Sequence, residues 1–592
     1  MGELTYESRM SDSDALMWTI EKDAMLRSTI TAVAVLDRAP DHDRLRELLD
    51  RGTRLVPRLR QRVRANPLSI APPRWEVDPH FDLDYHVRFV RVPGAGDLRS
   101  VLDVAQPIAM AGFDRARPLW EATLIEGMED GRAALVLKVH HAITDGVGSV
   151  KLALIMFELE RDPTGGADMP PAPPAPVMSQ AARWIDAIAH EQRRARGIIG
   201  RSGATVSGAT VRTVADAAAD PAGALARAAA TAASVVRLAA PATAPLSPLM
   251  TGRSLSVRFD TLVVPMAAVK VAARSAGATL NDAFVAATAA GFTRYHREMG
   301  TSAAALRMTM PINVRTVGTE DLAGNQFVPA RFPIPLDIGD PAARMKVLHE
   351  LVLGQRGEPS LAFVEPLAGL LRRLPTSLST GLFGSMLKGV DLVTSNVPGA
   401  PIPIYTAGGR VEAMFALGPL TGAAANLTLL SYLDDLHIGV NMDPAAVTEP
   451  DRLVAALRAG WDEILTAADP SPAPTSVPPP SAETTSTERA TKGPGPKATA
   501  ATTRGRKPKA SRTVTGSRKA GGAATRSTKA ASTKATAKRT TAKRRTATPA
   551  TTKKGTVTKA SAADGTARGA ARGGAARRRS GARPSGRPTS PR

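Results

Sequence analysis

Apolar and polar positions along the first 165 residues follow two different periods. TITAVAVLD, residues 29–37, has the apolar content of a buried strand, and DHDRLRELLDRG, residues 41–52, repeats its leucines at helical spacing. The run Ala133–His141 predicts a second buried strand, with Leu135, Leu137, Val139 and His141 on one face and Lys138 and His140 on the other. Asp145-Gly146 then predicts a tight turn in which Gly146 can take a positive φ. VGSVKLALIMFELE, residues 147–160, resumes as a helix with Val150, Leu154 and Phe157 in register.

The period breaks at MPPAPPAPVM, residues 169–178, whose five prolines predict an extended linker. Residues 179–240 carry Ala, Val and Ile at helical spacing and predict one or two surface or crossover helices. SLSVRFDTLVV, residues 254–264, opens a second α/β unit. LTLLSYL (427–433) and LHIGVNM (436–442), on either side of Asp434-Asp435, predict a β-hairpin. Beyond Ser471 the chain has no aromatic residue and no Leu, Ile or Met, too little apolar surface to offset the entropy of ordering, so disorder is expected there. The expected organisation is an N-terminal lobe, 1–168; a Pro-rich linker with Ala-rich crossover helices, 169–253; a C-terminal lobe, 254–468; and a disordered tail, 469–592.

Charge sharpens that division. Of the 77 Lys and Arg residues in the 592-residue chain, 29 lie in residues 471–592 with only three of the 54 acidic residues, a local net of +26. The rest holds 48 basic and 51 acidic groups, a net of −3, so the overall +23 belongs to the tail. The absence of cysteine excludes disulfide scaffolds, thiolate metal sites and cysteine nucleophiles. MGELTYESRM lacks the pattern of a signal peptide, and no uncharged apolar run approaches the roughly 18 residues of a membrane span. A cytoplasmic protein, soluble or peripherally bound to a membrane or lipid inclusion, is the expectation.

Candidate chemistry concentrates in AALVLKVHHAITDGVGS, residues 133–149. A histidine at a strand end suits a general base, because imidazole needs only a small shift to be neutral and basic near pH 7. Two other readings compete. Adjacent histidines could ligate a metal, although on a strand they point to opposite faces and no Glu/His cluster completes a site. They could equally be hydrogen-bonded core residues. Neither GxSxG, GxxxxGK[ST] nor GxGxxG occurs in the chain.

HHAITDG fits HHxxxDG, a signature of acyl-CoA-dependent acyltransferases and of peptide-synthetase condensation domains. Pro118, Leu119 and Trp120 form a PLW block upstream; ATLNDAF (278–284) carries Asn281 and Asp282; PINVR (311–315), NQF (325–327) and SNVPGAPIPI (395–404) follow. In order and spacing, over about residues 5–465, these blocks resemble the bacterial wax ester synthase/acyl-CoA:diacylglycerol acyltransferase family. Ala400 departs from it, standing where a second proline usually follows NVPG.

The resemblance implies an α/β, two-lobed fold of the chloramphenicol acetyltransferase type, with His141 in a tunnel reached by coenzyme A from one side and lipid from the other. It implies transfer of a fatty acyl group from acyl-CoA, a co-substrate and not a bound cofactor, to diacylglycerol or a long-chain alcohol. His141 is then the general base and His140 supports the turn or the entrance. Asp145 either orients the imidazole or braces the loop, and bracing is favoured, with Arg315 a candidate partner. Asn281 and Asp282 follow Thr279, a predicted N-cap, and serve either the helix start or the site. Trp120 reads as a core aromatic. No metal is expected. Two other functions stay open: a condensation-type or other CoA acyltransferase with a different acceptor, and a polyanion-binding protein with an inactive acyltransferase body.

The tail resembles those of histone H1-like proteins. Its charge suits DNA, RNA or an anionic lipid surface, bound by counterion release without base reading, and it has no aromatics for stacking.

Overall fold

The leucines at 45, 48 and 49 bury one stripe of a helix, His42–Leu55, whose N-cap Asp41 accepts the Arg44 N–H at 2.8 Å. That helix lies in a computed structural model describing residues 5–467, apart from 66–69, 144–156, 165–167, most of 206–243, 314–321, 324–326 and 359–363. The predicted turn at Asp145-Gly146, the helix from 147 and Arg315 lie outside the described residues. The chain divides after Pro480, and every described residue belongs to the first unit.

The strands, in chain order, are β1 (Thr5–Tyr6), β2 (Thr29–Leu36), β3 (Gln61–Arg64), β4 (Arg74–Val77), β5 (Val87–Arg91), β6 (Trp120–Glu126), β7 (Ala133–His140), β8 (Arg258–Pro265), β9 (Ala305–Asn313), β10 (Leu322–Ala323), β11 (Phe327–Pro335), β12 (Leu392–Val397), β13 (Tyr405–Thr406), β14 (Gly409–Leu417), β15 (Ala425–Tyr432) and β16 (Asp435–Met442). Two mixed six-stranded sheets carry the fold, in the orders β13-β14-β2-β7-β6-β5 and β11-β9-β12-β15-β16-β8. The first contains β13 and β14, so residues 405–417, expected in the second lobe, complete the sheet of the first.

Alternation divides the first sheet cleanly. Ala34, Leu36, Ala133 and Leu135 pack on one face, and Val33, Val35, Ala134 and Val136 on the other, where Phe259 from β8 joins them. The second sheet is covered by the helices Leu280–Glu298 and Pro450–Thr466, which share its apolar core.

The predicted hairpin is present as β15 and β16, paired from Ala425↔Met442 to Tyr432↔Asp435. Its two-residue turn is Leu433-Asp434, one position earlier than expected, and Leu433 takes φ 53°. The strand expected from Ser254 begins at Arg258, because Asp443 accepts hydrogen bonds from the Ser254 N–H and hydroxyl, both at 2.6 Å, and holds that segment out of the ladder. A crossover helix is present at Gln180–Thr205. Among the described residues no helix is long and apolar enough to cross a membrane.

That helix meets both lobes at Asp12, which is buried at the start of the helix Asp12–Ile20. Arg194 from the crossover donates to Asp12 Oδ2 at 2.5 Å, and Arg372 from the second lobe donates to Oδ1 at 2.9 Å. Burial alone would raise this carboxyl, but the hydrogen bonds and charges of the two arginines outweigh it and hold the pKa below the ordinary 3.8. A depressed carboxyl stabilises the fold above its unfolded pKa and loses that contribution as pH falls through the folded value. Asp12→Ala would leave Arg372 buried without its principal partner, so a loss of about 3 kcal/mol or more is expected in urea unfolding. Wild type should lose stability below about pH 4 more steeply than this variant in parallel acid titrations.

Candidate active site

β7 ends at His140, not at His141. His141 opens a single 3-10 turn, His141–Ile143, so strand alternation does not place it and the face assigned to it from sequence is corrected. Three backbone contacts turn the chain: the His140 N–H donates to Leu119 O at 3.0 Å, the His141 N–H to Ser28 O at 2.8 Å, and the Ala142 N–H to His140 Nδ1 at 3.0 Å.

The two histidines differ in surroundings. His140 is fully buried, with Trp18 edge-on at 5.5 Å between ring centroids and Phe113 at 6.1 Å. Its Nδ1 accepts a backbone N–H, which leaves the ring proton on Nε2, 2.9 Å from Glu21 Oε1. Nδ1 is thus hydrogen-bonded, while Nε2 stands at ion-pair distance from the carboxylate without hydrogen-bond geometry. His141 is half-buried beside it.

Glu21 follows the helix Asp12–Ile20 and also accepts the Ser28 N–H at 2.6 Å, with Arg115 3.7 Å from its other oxygen. Burial alone would raise its pKa, but His140, the Ser28 N–H and Arg115 together hold it below the ordinary 4.5. Lys138, on the same face of β7 as His140, is fully buried, 3.6 Å from Glu121 Oε2 and 4.4 Å above the Phe113 ring. Burial pushes its pKa down, against the pull of Glu121.

His140 pairs with Thr29 and Lys138 with Thr31 in the β2–β7 ladder, so all four share one face of the sheet. Thr29 and Thr31 line a partly open pocket between the lobes, with Arg27, Phe259, Leu417 and Asn441. Thr31 Oγ1 and Asn441 Oδ1 are buried there without a hydrogen-bond partner among the described residues.

The remaining motif residues are structural in their contacts. Pro118 and Leu119 are buried, and Leu119 supplies the carbonyl that holds His140. Trp120 is buried: its Nε1–H donates to Leu59 O at 2.7 Å and its ring stacks on His86 at 4.7 Å. Thr279 caps the helix Leu280–Glu298, and Asp282 closes a capping box with it while also taking a 2.7 Å contact from His349 Nδ1. Asn281 Nδ2 lies 3.6 Å from Met310 Sδ. In NVPG, Gly399 is required by space, since a Cβ there would lie 1.9 Å from Ser431 O. The contacts of Asn281 and Asp282 run to Met310 and to Thr279 and His349.

Sequence reading missed Glu21, Ser28 and the Lys138–Glu121 pair. Only the last left a signal: each charge interrupts an apolar strand, at LVLKV and LWEATL, and the two stand opposite each other in the β6–β7 ladder. Among the described residues no group of three His, Asp or Glu could hold a metal ion.

The wax ester synthase/diacylglycerol acyltransferase catalytic domain matches residues 10–284, and the WS/DGAT C-terminal domain matches 323–464. Over 482 residues the chain is 38% identical to "Putative diacyglycerol O-acyltransferase Rv2484c" of Mycobacterium tuberculosis, covering 81% of this chain and 96% of that protein. A second such protein of M. tuberculosis, Rv3087, is 30% identical over 479 residues, covering 78% and 97%. Among solved structures, the wax ester synthase/diacylglycerol acyltransferase of Marinobacter aquaeolei VT8 superposes with a TM-score of 0.50 at 23% identity, over 78% of this chain and 99% of that one. The first condensation domain of the calcium-dependent antibiotic synthetase also gives 0.50, at 17% identity, over 78% and 96%, and shares the fold. With both family domains matched in order and close relatives aligned along nearly their whole length, the chain belongs to the wax ester synthase/diacylglycerol acyltransferase family.

Proposed function

We propose that the chain transfers a fatty acyl group from acyl-CoA to the hydroxyl of diacylglycerol, and to long-chain alcohols, with His141 as general base. The observation that supports the choice of residue is the difference in burial: His140 is fully buried with its Nδ1 accepting the Ala142 N–H, whereas the adjacent His141 is only half-buried. His141 takes the acceptor hydroxyl proton as the oxygen attacks the thioester carbonyl. The C–S bond breaks, and the imidazolium returns the proton to the departing CoA thiolate. No acyl-enzyme is needed. The bracing role expected of Asp145, with Gly146 and Arg315, falls outside the described residues. The space beside Thr29 and Thr31, with apolar walls and unpartnered polar atoms, suits a lipid substrate carrying one polar group.

The substrates favour work at a lipid surface. Leu370 and Leu378 are 59% and 60% exposed, with Leu374 and Leu382 exposed near them and Arg373 beside Leu374. These residues and the +26 tail support peripheral contact with anionic membranes or lipid inclusions in the cytoplasm. The same tail charge supports non-specific binding of DNA or another polyanion.

Purified protein given a long-chain acyl-CoA and a panel of acceptors, with products resolved by mass spectrometry, tests the reaction. Triacylglycerol or wax ester is expected; an amide or a different ester would favour a condensation-type reaction, and no product would favour the inactive-body reading. His141→Ala should lower turnover by about 10²- to 10⁴-fold with the fold intact, and His140→Ala should be milder. Thiol release that survives in the first variant and vanishes in the second would reverse the two roles.

A chain ending at Asp469, with a formal net charge near −3, should keep activity on dispersed substrate and lose affinity for DNA and anionic vesicles. Full-length binding to duplex DNA should weaken with salt, each neutralised phosphate contributing about −0.9 to the slope of log K against log salt. Random-sequence DNA should compete as well as any chosen site. Tight binding by the shortened chain, or binding indifferent to salt, would remove the tail from this role.

A further inference from the structure

Glu21 lies outside every motif block, yet it touches both segments that shape the histidine turn. Its Oε1 accepts the Ser28 N–H at 2.6 Å, and the carbonyl of the same Ser28 accepts the His141 N–H at 2.8 Å. The same oxygen lies 2.9 Å from His140 Nε2, while His140 Nδ1 accepts the Ala142 N–H at 3.0 Å. His141 is therefore fixed from both sides, through Ser28 and through His140–Ala142, and both paths converge on one carboxylate that is 9% exposed.

We propose that Glu21 is a positioning residue for acyl transfer, whose carboxylate sets the backbone turn and the His140 tautomer that together aim the His141 imidazole at the reacting groups. This rests on the reading of His141 as the base. The surroundings suit a fixed carboxylate: Arg115 lies 3.7 Å away and is itself held by a 3.0 Å hydrogen bond to Trp18 O, with its guanidinium 3.9 Å from the Trp18 ring centroid. Trp18 in turn packs against His140. Lys138, in the same buried layer, is taken up by Glu121 and the Phe113 ring. A carboxylate held this way has little freedom to follow the histidine if the turn shifts, so it acts as a fixed point.

Glu21→Gln isolates one of the two paths. The amide oxygen still accepts the Ser28 N–H, but the negative charge facing His140 Nε2–H is gone. In full-length protein kcat should fall about 10- to 100-fold, the scale at which misplacement of a reacting group is felt, with KM for acyl-CoA nearly unchanged. Because this loss runs through His140, Glu21→Gln combined with His140→Ala should be no slower than His140→Ala alone. Nitrogen NMR of ¹⁵N-histidine-labelled protein gives a readout independent of activity: the His140 signal, identified by its disappearance in His140→Ala, should report the Nε2–H tautomer in wild type and a mixture in Glu21→Gln.

Unchanged kcat per folded molecule with a lowered melting temperature would reduce Glu21 to a fold-stabilising residue and overturn the proposal. Full additivity with His140→Ala, or a wild-type His140 protonated on Nδ1, would do the same. Should Glu21→Gln not fold, the wild-type tautomer still decides. Wild type inactive toward every acceptor would instead sink the acyl-transfer reading, whereas an active wild type with an equally active Glu21→Gln would sink only this one.

Discussion

The two sheets are held in fixed relation by β14, which leaves the second half of the chain and completes the sheet of the first. It pairs with β2 from Leu36↔Val411 to Thr31↔Leu417, and it crosses β16 at Gly439, where a Cβ would stand 2.1 Å from Ala416 O. No other residue could let the two strands approach so closely. β2 in turn pairs with β7, so the histidine turn is tied to the second sheet through two consecutive ladders. The contact is reinforced from the other direction by Phe259, which leaves the edge of the second sheet to join the core of the first. Its backbone N–H and C=O are taken by Gln106 and Arg99 of the helix Leu98–Met110, so that edge is closed. A site formed between lobes interlocked in this way has a geometry set by strand register, with little room for independent movement of the halves.

Against that apolar frame, the layer around His140 is unusually charged for an interior. Glu21, Lys138, Glu121 and Arg115 come together with two aromatic rings, and each ion has an opposite charge or a π-face within reach. Replacing such groups by hydrocarbon would often be neutral or stabilising. Their arrangement is understandable through what it does to the neighbouring turn. The Ala142 N–H donated to Nδ1 leaves the His140 proton on Nε2, and the Glu21 charge 2.9 Å away favours it there, a property that apolar packing cannot specify.

Much of the fold is legible in the sequence because the signals are local. The helix His42–Leu55 with its Asp41 cap, the β15–β16 hairpin, and the Thr279–Asp282 helix start all follow from residues within a few positions of one another. The placement of β14 is not, since a strand of alternating residues fits either sheet and only the close passage at Gly439 selects one. The clamp at Asp12 escapes for the same reason, its arginines standing 182 and 360 residues away. For the site, the motif located the histidine pair, while alternation failed one residue too soon: His141 leaves the strand because Ser28 O captures its N–H and His140 Nδ1 captures the next. Ser28 and Glu21 carry no pattern of their own, and their role exists only where β2 and the helix before it meet the end of β7.

Consecutive histidines at a strand end divide the labour that a lone base would have to combine. A base must remain neutral and able to turn toward substrate, which argues against burying it beside a carboxylate. Its backbone must nonetheless be held firmly, which in a buried site calls for strong polar contacts. Placing the carboxylate against His140 separates these demands, because the anchoring falls on the first ring and only the backbone consequences reach the second. Ala142 and Ser28 are the two relays, each a single hydrogen bond long. If His141 is the base, as proposed, the doubled histidine has a physical reason: the first residue of the pair is part of the mounting and the second is the working group.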